Sequence, residues 1–310
     1  MTNRMGRVKN IDKFDGSFFG YLAKNADAME PESRILLETT YEAIVDAGMN
    51  PQQLRATNTG VYIGYTKMGL SDGYPSEIQL DLLNSPQDCF QRITGACKHI
   101  LANRLSFAFD LNGPSIVVDT ACSSSLVAFD LAVTDLRLGK CETAIVGSAQ
   151  VNLEPFISFM FQTNNMTSVD GIPRVWDKDA NGFVRAETVS CVFLQKKKDA
   201  KRIYATVIHS KTNIDGYKKS GNFFPSKEGQ QELLEETCIE AGIDPKDINY
   251  FEAHGTGTKV GDPQEAKAIA GAYCKNRKDE LLVGLLKSNI GHGEGTSGLA
   301  SVCKAVISFE

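Results

Sequence analysis

The chain has 310 residues, 42% hydrophobic and 23% charged, ordinary values for a globular protein with room for one large α/β domain or two moderate ones. A net charge of −5 argues against a nucleic-acid role. No apolar run approaches the ~20 residues of a membrane span, and no secretory signal is visible.

The start through Gly20 reads as irregular, with Phe14, Phe18 and Phe19 as anchors. Pro31 suits the first turn of a helix running to about Ala47, with Ile35, Leu36, Thr39, Ala43 and Ile44 on its apolar face and Gly48 closing it. Val61–Gly64 reads as a strand, residues 66–88 as a polar surface excursion and Ile93–Leu105 as a helix. Ile116–Val118 reads as a buried strand that stops at small and polar residues. Leu126, Phe129, Val133 and Leu136 then recur at helical spacing until Gly139. Thr143–Gly147 is another buried strand. Residues 164–187 form a long loop holding the only tryptophan, Trp176, and a loop of that length is usually functional or packed over something.

Ser190–Leu194 and Tyr204–His209 read as strands. The basic run between them, 196–202, is either a solvated turn or a docking patch for an acidic partner. Ser226–Ala241 is a helix and Asn249–Ala253 a strand. Asp262-Pro263-Gln264-Glu265 opens the next helix, with an aspartate N-cap and a capping-box glutamate. Leu281–Leu286 is the last strand, and Ser297 starts the last helix. Strand and helix alternate throughout, which predicts an α/β protein with largely parallel sheets.

Three stretches carry the chemistry. Cys122 falls at a tight strand-to-helix turn, where free helix N–H groups favour a thiolate and can stabilise an oxyanion. The alternative is a buried structural cysteine. His254 and His292, two of only four histidines, each follow a predicted strand and precede a glycine that lets a substrate come close. No H-x-x-x-H spacing or nearby carboxylate cluster supports a metal site. The eight cysteines include no C-x-x-C pair, so neither a zinc knuckle nor a disulfide framework is indicated, and a reducing cytoplasm is the default compartment. Residues 254–258, His-Gly-Thr-Gly-Thr, lack a Walker lysine and a GxGxxG pattern. Thr256 and Thr258 are turn residues or ligand contacts.

The motifs Asp119-Thr120-Ala121-Cys122-Ser123-Ser124-Ser125, Glu252-Ala253-His254-Gly255-Thr256-Gly257-Thr258 and Lys287-Ser288-Asn289-Ile290-Gly291-His292 resemble those of β-ketoacyl synthases. The likeness is nearest to the ketosynthase domain of animal-type fatty acid synthases and type I polyketide synthases, and it runs through nearly the whole chain in order. It implies a thiolase-like layered αβαβα fold of two similar halves, usually dimeric. It also implies decarboxylative Claisen condensation. Cys122 would take an acyl chain from a phosphopantetheine thioester on an acyl carrier protein domain. His254 and His292 would stabilise the enolate formed from the malonyl thioester.

By the same resemblance Thr256 and Thr258 contact the pantetheine arm. Lys287 lends charge and orientation near His292, or is a surface lysine. No cofactor is implied for this segment. Cysteine rather than glutamine at position 122 argues against a decarboxylase-only variant, and two histidines argue against an initiation-type enzyme. The expected division is 1–200, the half with the nucleophile, and 201–310, the half with both histidines. The family normally has a further strand before Met1 and continues past Glu310 through a glycine-rich, Phe-containing loop, so the chain is expected to be truncated at both ends. The alternative expectation is an inactive fragment with at most a structural or dimerisation role.

Overall fold

In a computed structural model that describes residues 4–66, 94, 95, 97–221 and 223–309, the order of burial along the strands decides the layering. β1 (Thr59–Gly64) lies between β2 (Ser115–Val118) and β3 (Thr143–Gln150), parallel to both, and β4 (Thr188–Gln195) closes the sheet antiparallel to β3. Val61, Ile63 and Ile145 point to one face, whereas Tyr62, Ala144 and Val146 point to the other, as the two-residue strand period requires. Both sets are buried, so helices must cover both faces.

On the first face lie α2 (Pro31–Asp46) and α3 (Ile100–Phe109), following the short α1 (Ala23–Asp27). Phe14 stacks on Phe19 at 5.5 Å, and Phe18 meets Tyr41 edge-on at 5.0 Å. These rings anchor the N-terminal segment as expected. On the second face lie α4 (Ser124–Arg137) and α9 (Ser297–Ser308). A second sheet pairs β5 (Tyr250–Glu252) with β6 (Leu282–Gly284) in parallel. Phe251 and Val283 pack toward α6 (Lys227–Ala241) and α7 (Gly261–Ile269), while Glu252 on the other face accepts from Lys304 Nζ of α9 at 2.6 Å. The succession is helices, sheet, α4 with α9, sheet, helices. The remaining helices are α5 (Pro155–Thr163) and the one-turn α8 (Lys287–Ile290).

Several expectations need correction. Tyr204–His209 joins no ladder among the described residues. Side chains hold it instead: the Ile208 carbonyl accepts from Arg137 at 2.6 Å, and His209 pairs with Glu240 at 2.9 Å. The helix expected over 93–105 is shifted. Thr94 and Gly95 are helical, but the continuous helix starts at Ile100 and ends at Phe109, where Asp110 adopts a left-handed conformation. Most of the surface excursion, from residue 67 on, lies outside the described residues. The basic run 196–202 is an exposed turn, with Arg202 paired to Asp46 at 2.7 Å.

Gly64 is where β1 touches the start of α4. A Cβ there would stand 2.3 Å from Ser125 Cα and 2.4 Å from its nitrogen, and these are backbone atoms that cannot rotate away. Gly64→Ala should therefore destabilise the fold by about 1–3 kcal/mol through overpacking. A lowered urea midpoint with unchanged m-value is the expected result; an unchanged midpoint contradicts the packing argument.

Candidate active site

Cys122 lies between the end of β2 at Val118 and the start of α4 at Ser124. Ala121 takes a left-handed φ of 54°, which sharpens the turn. The buried Ser124 hydroxyl donates to the Ala121 carbonyl at 2.6 Å and accepts from the Thr120 amide at 2.9 Å. Two further serines tie this turn to α9. Ser297 Oγ donates to the Cys122 carbonyl at 3.3 Å, and Ser125 Oγ accepts from the Leu299 amide at 3.1 Å. The small residues around the cysteine thus serve the helix contact as well as ligand access.

That contact delivers His292, which precedes α9. Its Nε2 lies 3.1 Å from Cys122 Sγ, and the His254 ring meets the His292 ring edge-on at 5.4 Å. The three residues singled out in the sequence converge. Lys287 is buried beside them at 4% exposure, so the surface-lysine alternative falls.

The loop 164–187 packs over this cluster. The His292 amide donates to the Val184 carbonyl at 2.6 Å, and Ala186 donates back to the His292 carbonyl at 2.9 Å. Phe183 meets the His292 ring edge-on at 5.3 Å. Arg185 in the same segment forms a buried ion pair with Glu294 at 2.5 Å.

Asp262 does not cap its own helix as the sequence suggested. Val260 flanks the helix start without a side-chain cap. The Asp262 carboxylate turns back on the preceding loop and accepts from the amides of Trp176 at 2.8 Å, Gly257 at 3.1 Å and Thr258 at 3.3 Å. One turn on, Glu265 accepts from the amides of His254 at 2.6 Å and Gly255 at 2.7 Å. The i, i+3 spacing puts both carboxylates on one helix face, so together they hold the His254 loop. Thr256 and Thr258 hydroxyls lie 3.2 Å apart, and Thr258 Oγ1 also accepts from the Gly261 amide at 3.2 Å. A cavity of about 500 Å³, lined by residues including Trp176, Lys178, Thr258 and Lys259, opens beside them. Cys122 and the two histidines are not among its lining residues.

The electrostatics favour neutral groups. Burial pushes the Cys122 thiol up to about 11, with Glu294 adding to the effect and Lys287 opposing it. Burial therefore works against the thiolate-favouring effect of the helix start. Burial, then His254, Lys287 and Arg185, hold His292 well below the usual imidazole value. Burial of the ring and Lys287 also lower His254, but the residue as a whole is exposed, and solvent weakens that shift. Burial lowers Lys287 itself, against the pull of Glu265, Cys122 and Glu252. His292 Nδ1 has no hydrogen-bond partner among the described residues. The tautomer with hydrogen on Nε2 leaves only a lone pair unmatched there, rather than a buried donor, and points a donor at the cysteine.

Comparison with known proteins decides the family. The family described as Beta-ketoacyl synthase, N-terminal domain, matches residues 1–200, and Beta-ketoacyl synthase, C-terminal domain, matches residues 204–310. The chain belongs to the β-ketoacyl synthases. It is 44% identical over 310 residues to a fatty acid synthase of Anser anser anser, covering 100% of this chain and 86% of that sequence. It is 40% identical to highly reducing polyketide synthase Preu1 of Preussia isomera, covering 97% of this chain but 13% of the relative. The oxazolomycin ketosynthase domain OzmH KS7 of Streptomyces albus JA3453 superposes with a TM-score of 0.88 at 33% identity. This covers 98% of the present chain and 54% of that structure. A cysteine-to-serine mutant of the ketosynthase from module 6 of the bacillaene synthase of Bacillus subtilis 168 gives a TM-score of 0.86 at 34% identity, covering 98% of this chain and 51% of that one. The fold is thiolase-like, and the chain is homologous to the condensing enzymes of fatty acid and polyketide synthases. It spans about half the length of these solved ketosynthases.

Burial holds His292 well below the 6.5 at which unfolded histidine titrates, and lowers the more exposed His254 in the same direction. Below that value the unfolded chain binds protons that the folded chain refuses. Their contribution is thus fully present above about pH 6.5 and is lost progressively as the pH falls toward the folded values. The urea midpoint should drop between about pH 7.5 and about pH 5, and less steeply in His254→Gln. A flat wild-type profile contradicts neutral burial.

Proposed function

We propose that this chain carries the condensing step of fatty acid or polyketide elongation, a 3-oxoacyl-[acyl-carrier-protein] synthase reaction. The observation that supports it is the 3.1 Å approach of His292 Nε2 to Cys122 Sγ with His254 beside it. A thiol is both a good nucleophile once deprotonated and a good leaving group, so an acyl enzyme can form and be resolved. Cys122 attacks the carbonyl of an acyl thioester on a carrier-borne phosphopantetheine, with the free carrier thiol leaving. A malonyl thioester then enters. Loss of carbon dioxide leaves an enolate whose oxygen accepts hydrogen bonds from His254 and His292. The enolate carbon attacks the acyl carbonyl and expels the Cys122 thiolate.

Two fixed donors aimed at one developing oxyanion are worth roughly 3–4 kcal/mol each in comparable enzymes. Neutral imidazoles suit this task, because they donate without holding a proton that the enolate would take. Lys287 adds positive charge from behind. Thr256 and Thr258 are the residues assigned to the pantetheine arm, and the adjoining cavity offers a route for it. In this reading residues 1–200 form the half with the nucleophile and 201–310 the half with the histidines, on a homodimer in the cytoplasm served by an acyl carrier protein domain. No cofactor is assigned. No helix among the described residues is long and apolar enough to cross a membrane. The inactive-fragment alternative has no observation in its favour over this one.

Intact-mass analysis after incubation with a short acyl thioester tests the first half-reaction. An adduct on wild type and none on Cys122→Ala is expected. His254→Ala should still acylate but lose roughly 100- to 1,000-fold in malonyl decarboxylation and condensation. Absence of any adduct on a soluble, monodisperse wild-type chain would sink the proposal.

A further inference from the structure

Glu294 and Arg185 face each other at 6% and 7% exposure, with Nε 2.5 Å from Oε1. Stability alone is a weak reason for such a pair, since apolar side chains of similar volume often replace buried ions without loss. Its surroundings suggest another reason. Glu294 stands two residues after His292 in a left-handed conformation, φ 49°, which non-glycine residues rarely adopt. Arg185 also donates to Ser158 Oγ at 2.8 Å and lies over the Phe161 ring at 5.4 Å. Phe161 meets Phe183 edge-on at 5.3 Å, and Phe183 meets the His292 ring at the same distance. The backbone on either side of Arg185 is hydrogen-bonded to His292. The pair is therefore joined to the His292 ring by backbone bonds and by ring contacts.

We propose that Arg185 and Glu294 are positioning residues for the Cys122–His292 couple: they fix the imidazole against the sulfur, and Arg185 offsets the Glu294 charge that Cys122 would otherwise meet alone. Among the described residues His292 contacts the sulfur, Lys287 and Glu294 act on it through their charges, His254 lies against His292, and Arg185 is paired with Glu294. Glu294 disfavours the thiolate and Lys287 favours it. Removing Arg185 would tip this balance toward the thiol, and neutralising Glu294 would tip it toward the thiolate. A purely structural pair predicts something different: either substitution loosens the site, and both change reactivity in the same sense.

The inference rests on Cys122 being the nucleophile, but its test needs no acyl or malonyl substrate. A failed condensation assay and a failed positioning test are therefore distinguishable. The rate of Cys122 alkylation by iodoacetamide is followed against pH in the full chain, read on the Cys122 peptide by mass spectrometry, with a melting curve for each variant. Arg185→Gln should move the profile up by about one pH unit, and Glu294→Gln should move it down by a similar amount, the scale of one unit charge near a half-buried group. Arg185→Lys should stay near wild type. Shifts of the same sign, or none, overturn the proposal. If Arg185→Gln does not fold, the sign for Glu294→Gln decides alone. Loss of the fold in Glu294→Gln, a neutral isostere, would make the pair structural only and would also overturn it.

Discussion

Where α4 and α9 begin, small residues let the two helices approach closely between the two sheets. A Cβ on Gly298 would stand 2.4 Å from Leu126 Cγ, and Ser125 and Ser297 fill the remaining space while satisfying helix-terminal backbone groups. The two helices begin at the same level, so Cys122, two residues before one, meets His292 in the turn before the other. The site geometry is a by-product of that helix contact. Substitutions that widen the contact would separate sulfur from imidazole without touching either.

Burial then decides the charge states. Several ionisable groups share a small volume, and the structure handles them in two ways. Arg185 with Glu294 and Lys304 with Glu252 stay as ion pairs with close partners. Cys122, His254 and His292 are pushed toward their neutral forms. Glu265 is intermediate: burial raises it, while two backbone amides and Lys287 oppose the shift. A neutral resting site suits a reaction whose negative charge arises only on the way to the product, because the donors are already oriented and no counter-ion must be displaced.

Much of this was legible in the residues. Strands alternating with helices predicted the class of fold, and the small residues after Cys122 and the glycines after both histidines pointed to the three side chains that lie together. Other features were hidden because they depend on distant partners. Asp262 and Glu265 resemble a capping box, and a local pattern cannot reveal that the carboxylates serve another loop. Arg185 and Glu294 are 109 residues apart, and neither sits in a motif that the chemistry drew attention to. The left-handed backbone of Glu294 has no sequence sign either. Tyr204–His209 has a strand's composition but no ladder partner among the described residues, and strand propensity means little without one. The depression of both imidazoles and the elevation of the thiol follow from packing density, which composition does not encode.

The order of the layers has a consequence for folding. Cys122 lies in the first half of the sequence, while the imidazole it touches is 170 positions later, on a segment wedged between the two sheets. Contacts of such long separation form late, because closing the intervening loop costs entropy before any packing offsets it. A chain being synthesised therefore completes its first sheet and α4 with the thiol set beside no histidine. Only when α9 docks and Lys304 engages β5 does the cysteine acquire its neighbour. The contact between Cys122 and His292 thus reports completion of the fold, and the burial that raises the thiol is absent until α9 docks.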